Sequence, residues 1–267
     1  MYLRLNLAKT YLIKKNFTSN ASRRATIIQT PLFFDMKHKK LSSFFLNKAG
    51  RSCTGKIIFR KRSSMTLKLK KIKINYQLSH LSIGFIASCS FIPLKNKIVS
   101  LIFFSSGYAT YYLSTNIHSI FFFFNSYFPK SMRRFKLKSS YARICRIKKL
   151  TYISFVEITP GRGAQYMRSP GTEARLLRID ENTHSCLLEL PSGIKKIFSY
   201  YSYAFLSNIA NSCHKKYHNG KAGYRRSFGI KQTVRGVAMN AVDHPHGGRT
   251  KSVQYQRTPW GKTAKLK

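Results

Sequence analysis

Seven acidic side chains stand against forty-nine lysines and arginines in this 267-residue chain, a formal net charge of +42, and no other feature restricts its folding so severely. A free globule with that imbalance repels itself, so the charge calls for a polyanion to neutralise it, and nucleic acid is the natural one. Wholly disordered polycations are poor in apolar residues, whereas 43% of this chain is hydrophobic and 14% aromatic. Part of it must fold.

The charges are unevenly spread. Residues 1–150 hold 30 of the basic residues and one acid, Asp35, while Glu157, Glu173, Asp180, Glu181 and Glu189 fall between 157 and 189. That window alone has the mixed charge of an ordinary soluble surface, and Glu157, Glu173 and Glu189 read as surface residues. The runs TYISFVEI (151–158), ARLLRI (174–179), SCLLEL (185–190) and IKKIFS (194–199) are separated by PGRG, SPGT, DENT and PSG. Turn signals at such intervals predict a small all-β barrel, with PSG as a hairpin. No run keeps a 3.6-residue period for three turns, which disfavours helix.

Earlier in the chain, GKIIFRKR (55–62), TLKLKKIKI (66–74), KIVSLIFF (97–104) and YATYYL (108–113) also read as strands. The apolar phase slips at Lys70 and Lys71, as a bulge would require. The expected organisation is a basic arm over 1–47, a β unit over 48–158, a second small barrel over 159–214 and an extended tail over 215–267. The tail holds 13 basic residues, seven glycines and one acid. Too apolar-poor to bury a core, it should order only against a partner.

Cys53, Cys89, Cys145, Cys186 and Cys213 form no C-x-x-C pair and suggest neither a disulfide framework nor a zinc knuckle. A reducing compartment fits. Abundant Phe, Tyr, Lys, Ile and Asn, all encoded by A/T-rich codons, point to an organellar gene. The first 24 residues are basic and acid-free with Ser and Thr, like a mitochondrial transit peptide, but the whole first half shares that composition. The most apolar region, 81–129, is interrupted by Pro93, Lys95 and Lys97, and its pieces are too short to span a bilayer.

The stretch RGVAMNAVDHPHGGR (235–249) admits two chemistries. Asp243, His244 and His246 resemble part of a hydrolase metal site, but such a site needs three or four converging ligands, and the next candidates, His214 and His218, lie on a polar stretch. The proline between the histidines prevents helical presentation of the pair. Paired carboxylates for acid–base work are nearly lacking, and the neighbours Cys213 and His214 seldom face one another productively. RNA binding explains more residues at once. Gly236, Gly247 and Gly248 let backbone approach phosphate, and Arg235 and Arg249 supply bidentate donors. Asn240, His244 and His246 reach sugar hydroxyls and base edges, Met239 and Trp260 pack on bases, and Asp243 orients a neighbour or receives a base amino group.

Together with TPWGKTAK (258–265), that stretch closely resembles the C-terminal signature of the universal large-subunit ribosomal protein L-two family. EITPGRGAQYMRSPGT (157–172), LPSGIKKI (190–197) and GKAGYRRSFGIKQTVRG (220–236) match further family motifs in order and spacing, whereas KAGRSCTGKI (48–57) and IVSLIFFSSGYATYYL (98–113) match faintly. RKRSSM stands where the family has a glycine-rich GGGHK loop, Ala241 replaces a proline, and Arg249 replaces the third glycine. The resemblance implies an oligonucleotide-binding-type barrel followed by an SH3-like barrel, with extended arms. It also implies a non-enzymatic constituent of the large subunit, bound to ribosomal RNA near the peptidyl-transferase region. His244 would serve in positioning there, since the chemistry belongs to RNA. The implied RNA contacts are Arg51, Lys56, Arg60, Lys61, Arg62, Arg162, Arg168, Lys221, Arg225, Arg226, Lys231, Lys251, Arg257 and Lys262, beside the residues of the motif. Neighbouring ribosomal proteins would be partners, with no homo-oligomer, no membrane span and no cofactor beyond Mg2+ held by the RNA. The divergent first half favours a mitochondrial ribosome. The competing expectations are a metal-dependent hydrolase using the DHPH cluster and a free organellar RNA chaperone.

Overall fold

In a computed structural model of the chain the described residues are 11–14, 16, 18–29, 38–44, 47–66, 70–78, 83–118, 120–124, 140–221, 223–248, 253 and 255–263. Their contacts divide into two compact units, Met1–Phe45 with Leu69–Lys221, and Leu46–Lys68 with Ala222–Lys267. Almost all regular structure is strand, and no helix of the described residues is long and apolar enough to cross a membrane.

In the first unit β1 (Tyr11–Lys14) pairs with β2 (Thr26–Gln29), and β3 (Ser42–Phe44) with β4 (Lys70–Ile72), both antiparallel. Strands therefore occur where an unpatterned arm is expected. The β3–β4 register runs from Ser42↔Ile72 to Phe44↔Lys70 without a shift. The expected bulge at Lys70 and Lys71 is not formed.

A four-stranded sheet follows, made of β5 (Gly84–Ile92), β6 (Lys97–Phe104), β7 (Ala109–Leu113) and β8 (Phe123–Phe124) in the order β7-β6-β5-β8. Asn96, left-handed at φ 51°, closes the turn between β5 and β6, a conformation asparagine tolerates better than most residues. β5 escapes the sequence reading because its middle is covered on both faces: Ile86 to Ser90 are buried without interruption, which erases the alternation that marks a half-exposed strand.

The second sheet of this unit has six strands: β9 (Tyr141–Arg143), β10 (Tyr152–Ser154), β13 (Ala174–Asp180), β14 (Ser185–Glu189), β15 (Lys195–Ser199) and β16 (Tyr203–Leu206). Their order is β15-β14-β13-β10-β16-β9, while β11 (Val156–Glu157) pairs separately with β12 (Ala164–Tyr166). The PSG turn forms as read, with Gly193 at φ 83° and the Leu190 N–H donating to Ile194 O at 2.9 Å. The TYISFVEI run is broken by Phe155, which takes φ 53°. That left-handed residue turns the chain out of one sheet into the next. Its ring is wholly buried and stacks on Phe205 at 4.6 Å and Tyr76 at 5.8 Å.

One core cluster joins Ile86, Leu101, Tyr112 and Phe124 of the four-stranded sheet to Tyr141, Phe155, Phe205 and Ile209. A second lies under the six-stranded sheet around Ile153, Leu176, Leu188 and Phe198. The six-stranded sheet thus spans the division expected at 158/159, because β10 pairs with both β13 and β16. Glu157 is not a surface residue: it is fully buried, with Oε2 accepting the Gly161 and Tyr203 N–H groups at 3.3 Å each.

In the second unit the 55–62 run is not a strand. It folds back on Gly50, whose carbonyl accepts the Ile58 and Phe59 N–H groups at 2.9 and 3.0 Å. The one α-helix among the described residues, α1 (Gly223–Ser227), follows. Segments 47–66 and 223–263 are stitched by an Arg62↔Ile230 bridge, Lys231 N–H to Lys61 O (2.9 Å) and Ser63 N–H to Gly229 O (2.9 Å).

Candidate nucleic-acid interface

The second unit brings many of the sequence-singled residues together. Arg51 and Lys56 flank the 52–55 turn: Ser52 N–H donates to Lys56 O at 2.8 Å and the Arg51 guanidinium to Gly55 O at 3.0 Å. Arg60, Lys61 and Arg62 follow, all exposed, with Lys61 and Arg62 held to the 230–231 segment by backbone bonds. Arg225 and Arg226 are exposed on α1, and Lys231 and Arg235 on the extended stretch after it. The Arg60 guanidinium lies 5.6 Å from the centre of the Trp260 ring, a cation–π distance that joins two residues 200 positions apart. Trp260 and Lys262 sit on a turn closed by Thr258 N–H to Lys262 O (2.7 Å) and remain exposed. Arg249 and Lys251 lie outside the described residues.

The 235–248 stretch folds against itself, which the sequence reading does not anticipate. Asn240 O accepts the Asp243 and His244 N–H groups, His244 O that of Gly247, and Met239 O that of Gly248, at 2.8–3.3 Å. His244 is 8% exposed, and its Nδ1 accepts the His246 N–H at 3.0 Å. His246 Nε2 in turn accepts the Arg257 N–H at 2.7 Å. Burial, then the neighbouring His246 and Arg60, hold the His244 imidazole below the usual histidine pKa. With Nδ1 accepting, the neutral form of the ring carries its proton on Nε2.

The glycines serve this packing. A Cβ on Gly236 would come within 2.5–2.8 Å of three His244 ring atoms, and one on Gly247 would overlap the Asn240 carbonyl. Their smallness admits the chain's own groups; Gly248, at φ 73°, meets only Ala241. Two nitrogens of the supposed metal set are thus occupied by backbone donors, and among the described residues no three His, Cys, Asp or Glu side chains converge as ligands. The exposed Asp243 carboxylate has no hydrogen-bonding partner among the described residues, and Val242 is 98% exposed.

The first unit carries a separate basic cluster. Arg162 is exposed on the PGRG turn, which Glu157 anchors through the Gly161 N–H and Tyr76 through its carbonyl, accepting the Ala164 N–H at 2.7 Å. The Arg168 guanidinium lies over the Tyr76 ring at 5.2 Å. Lys97 has its pKa lowered by burial first, then by Lys95 and Arg168. Among the described residues none of Lys95, Lys97 and Arg168 is ion-paired with an acid, which suits an anionic partner. Sequence reading misses Lys95, Lys97 and Tyr76; the signal was the Lys-Asn-Lys turn, legible as a turn but not as a neighbour of residue 168. Lys221 is exposed where residues 216–221 meet the 19–26 segment, with Thr26 N–H donating to His218 O at 3.0 Å.

A family profile described as Ribosomal Proteins L2, C-terminal domain, matches residues 139–261. The large ribosomal subunit protein uL2 of Brucella abortus (strain S19) is 32% identical over 241 residues, covering 86% of this chain and 82% of the relative. That of Brucella canis gives the same figures. Large ribosomal subunit protein uL2m of Reclinomonas americana is 43% identical over 113 residues, 41% of this chain and 40% of its own length. With identity spread over most of both chains and the C-terminal motifs in register, the protein belongs to the uL2 family of large ribosomal subunit proteins.

Proposed function

We propose that the chain is a structural, non-enzymatic constituent of a large ribosomal subunit that binds ribosomal RNA near the peptidyl-transferase region and supports translation. The observation that carries this reading is the self-locked 235–248 loop. Its histidines and glycines satisfy one another, so what it offers outward is Arg235, Asn240, Asp243 and the nearby Arg60–Trp260 pair. Such a surface suits irregular RNA, where cations meet phosphate and an aromatic ring meets an unstacked base. His244 acts here by shaping the loop.

In this reading the contacts are Arg51, Lys56, Arg60–Arg62, Lys221, Arg225, Arg226, Lys231, Arg235, Arg257, Trp260 and Lys262, with Arg162 and Arg168 forming a separate grip. The sheet of β5–β8 is read as the oligonucleotide-binding-type half, and the six-stranded sheet as the SH3-like half. A mitochondrial ribosome is favoured by the 43% identity to a uL2m protein and by the composition bias.

The test is sedimentation of the tagged chain from mitochondrial lysate. It should run with the large subunit and stay there in high salt, while release into the light fractions would refute assembly. Binding of the purified chain to cognate RNA should weaken by about 10³ to 10⁵ between 50 and 200 mM salt if six to ten cations touch phosphate. A flat salt response would remove the electrostatic basis of the proposal.

A further inference from the structure

The four-stranded sheet exposes a row of rings that the RNA reading does not use. In the register Phe85 stands opposite Phe103 on β6 and Phe123 on β8, and its ring lies 6.0 Å from Phe121 and 6.5 Å from Phe123. These four side chains are 37–67% exposed, and the exposed Ile83, two positions from Phe85 and so on its face, extends the patch. Edge strand β8 carries its outer side. Contiguous exposed apolar surface rimmed by polar residues marks a contact site.

The charge distribution selects the occupant. In a chain where 49 of 267 residues are cationic, the only charged side chains between Tyr76 and Pro129 are Lys95 and Lys97. Both lie at the β5–β6 turn, the far end of the sheet: Lys97 is six positions along β6 from Phe103, roughly 20 Å at about 3.3 Å per residue. Platforms for unpaired bases combine rings with a cationic groove that follows the backbone. Among the described residues cations border one side only, where His38 stands edge-on to Phe103 at 6.4 Å and the exposed Lys39 and Lys40 follow. An uncharged aromatic centre with a polar rim has the anatomy of a protein–protein interface.

We propose that the Phe85–Phe103–Phe121–Phe123 face docks an apolar surface of a neighbouring protein in the assembled subunit. This rests on the ribosomal assignment above. The experiment places a photoreactive p-benzoylphenylalanine at Phe123 in the full chain, purifies the large particle by sedimentation, irradiates it and identifies the adduct by mass spectrometry. The expected result is a crosslink to one defined protein neighbour. In particles carrying Phe123→Arg, that neighbour should fall at least fivefold while this chain stays in place. With the chain present in the particle, an adduct to RNA, an adduct to the chain itself, or no adduct overturns the docking proposal alone. A chain that never enters the particle overturns the ribosomal assignment with it.

Discussion

His118 and His244 are both buried imidazoles, and their settings lead to different consequences. His118 is enclosed by Phe124 and Phe205, each 5.4 Å away and nearly perpendicular, and its Nδ1 accepts the Thr115 N–H at 3.3 Å. Burial lowers its pKa to about 3 from 6.5. Because the unfolded chain then binds the proton more readily, stability present above pH 6.5 is lost as pH falls toward 3, by up to about 1.4 kcal/mol per pH unit. Urea melts of the full chain between pH 7 and 5 should show that slope, and His118→Gln, which keeps an acceptor without the titration, should flatten it. An unchanged slope in the variant would place the acid sensitivity elsewhere. At Gly247 the issue is space: Gly247→Val drives a side chain into the Asn240 carbonyl, so incorporation into particles should fall at least tenfold. Gly223→Ala, which meets nothing within 4 Å and has no positive φ, should change it little. Equal mild effects would mean the loop's internal packing is dispensable.

Among the elements, the hinge between the sheets of the first unit depends on Phe155 and Phe205. Phe205 is fully buried, stacks on Phe155, and meets Tyr112, His118 and Phe124 edge-on. Phe205→Ala should cost about 3–5 kcal/mol, read as a drop in the denaturation midpoint, with Phe205→Leu losing less. Strands β13, β14 and β15 were legible because each is half-exposed or bounded by turn chemistry such as Gly193. β5 was not, since burial on both faces removes alternation. The 55–62 run misled for the opposite reason: its apolar Ile57, Ile58 and Phe59 are exposed, so β-like composition there reflects no buried face.

At the scale of the whole molecule, +42 requires a polyanion whatever the fold, and that conclusion needed only counting. The all-β class followed from turn spacing, and the family from motifs in register. Three-dimensional structure decided which distant residues meet. Arg60 reaches Trp260, Arg168 lies on Tyr76, and Gly236 and Gly247 admit the loop's own histidine and carbonyl. Composition and local pattern are properties of a chain read in order, so they survive without coordinates. Proximity across some 200 positions depends on how strands close and cores fill, and only the folded backbone specifies it.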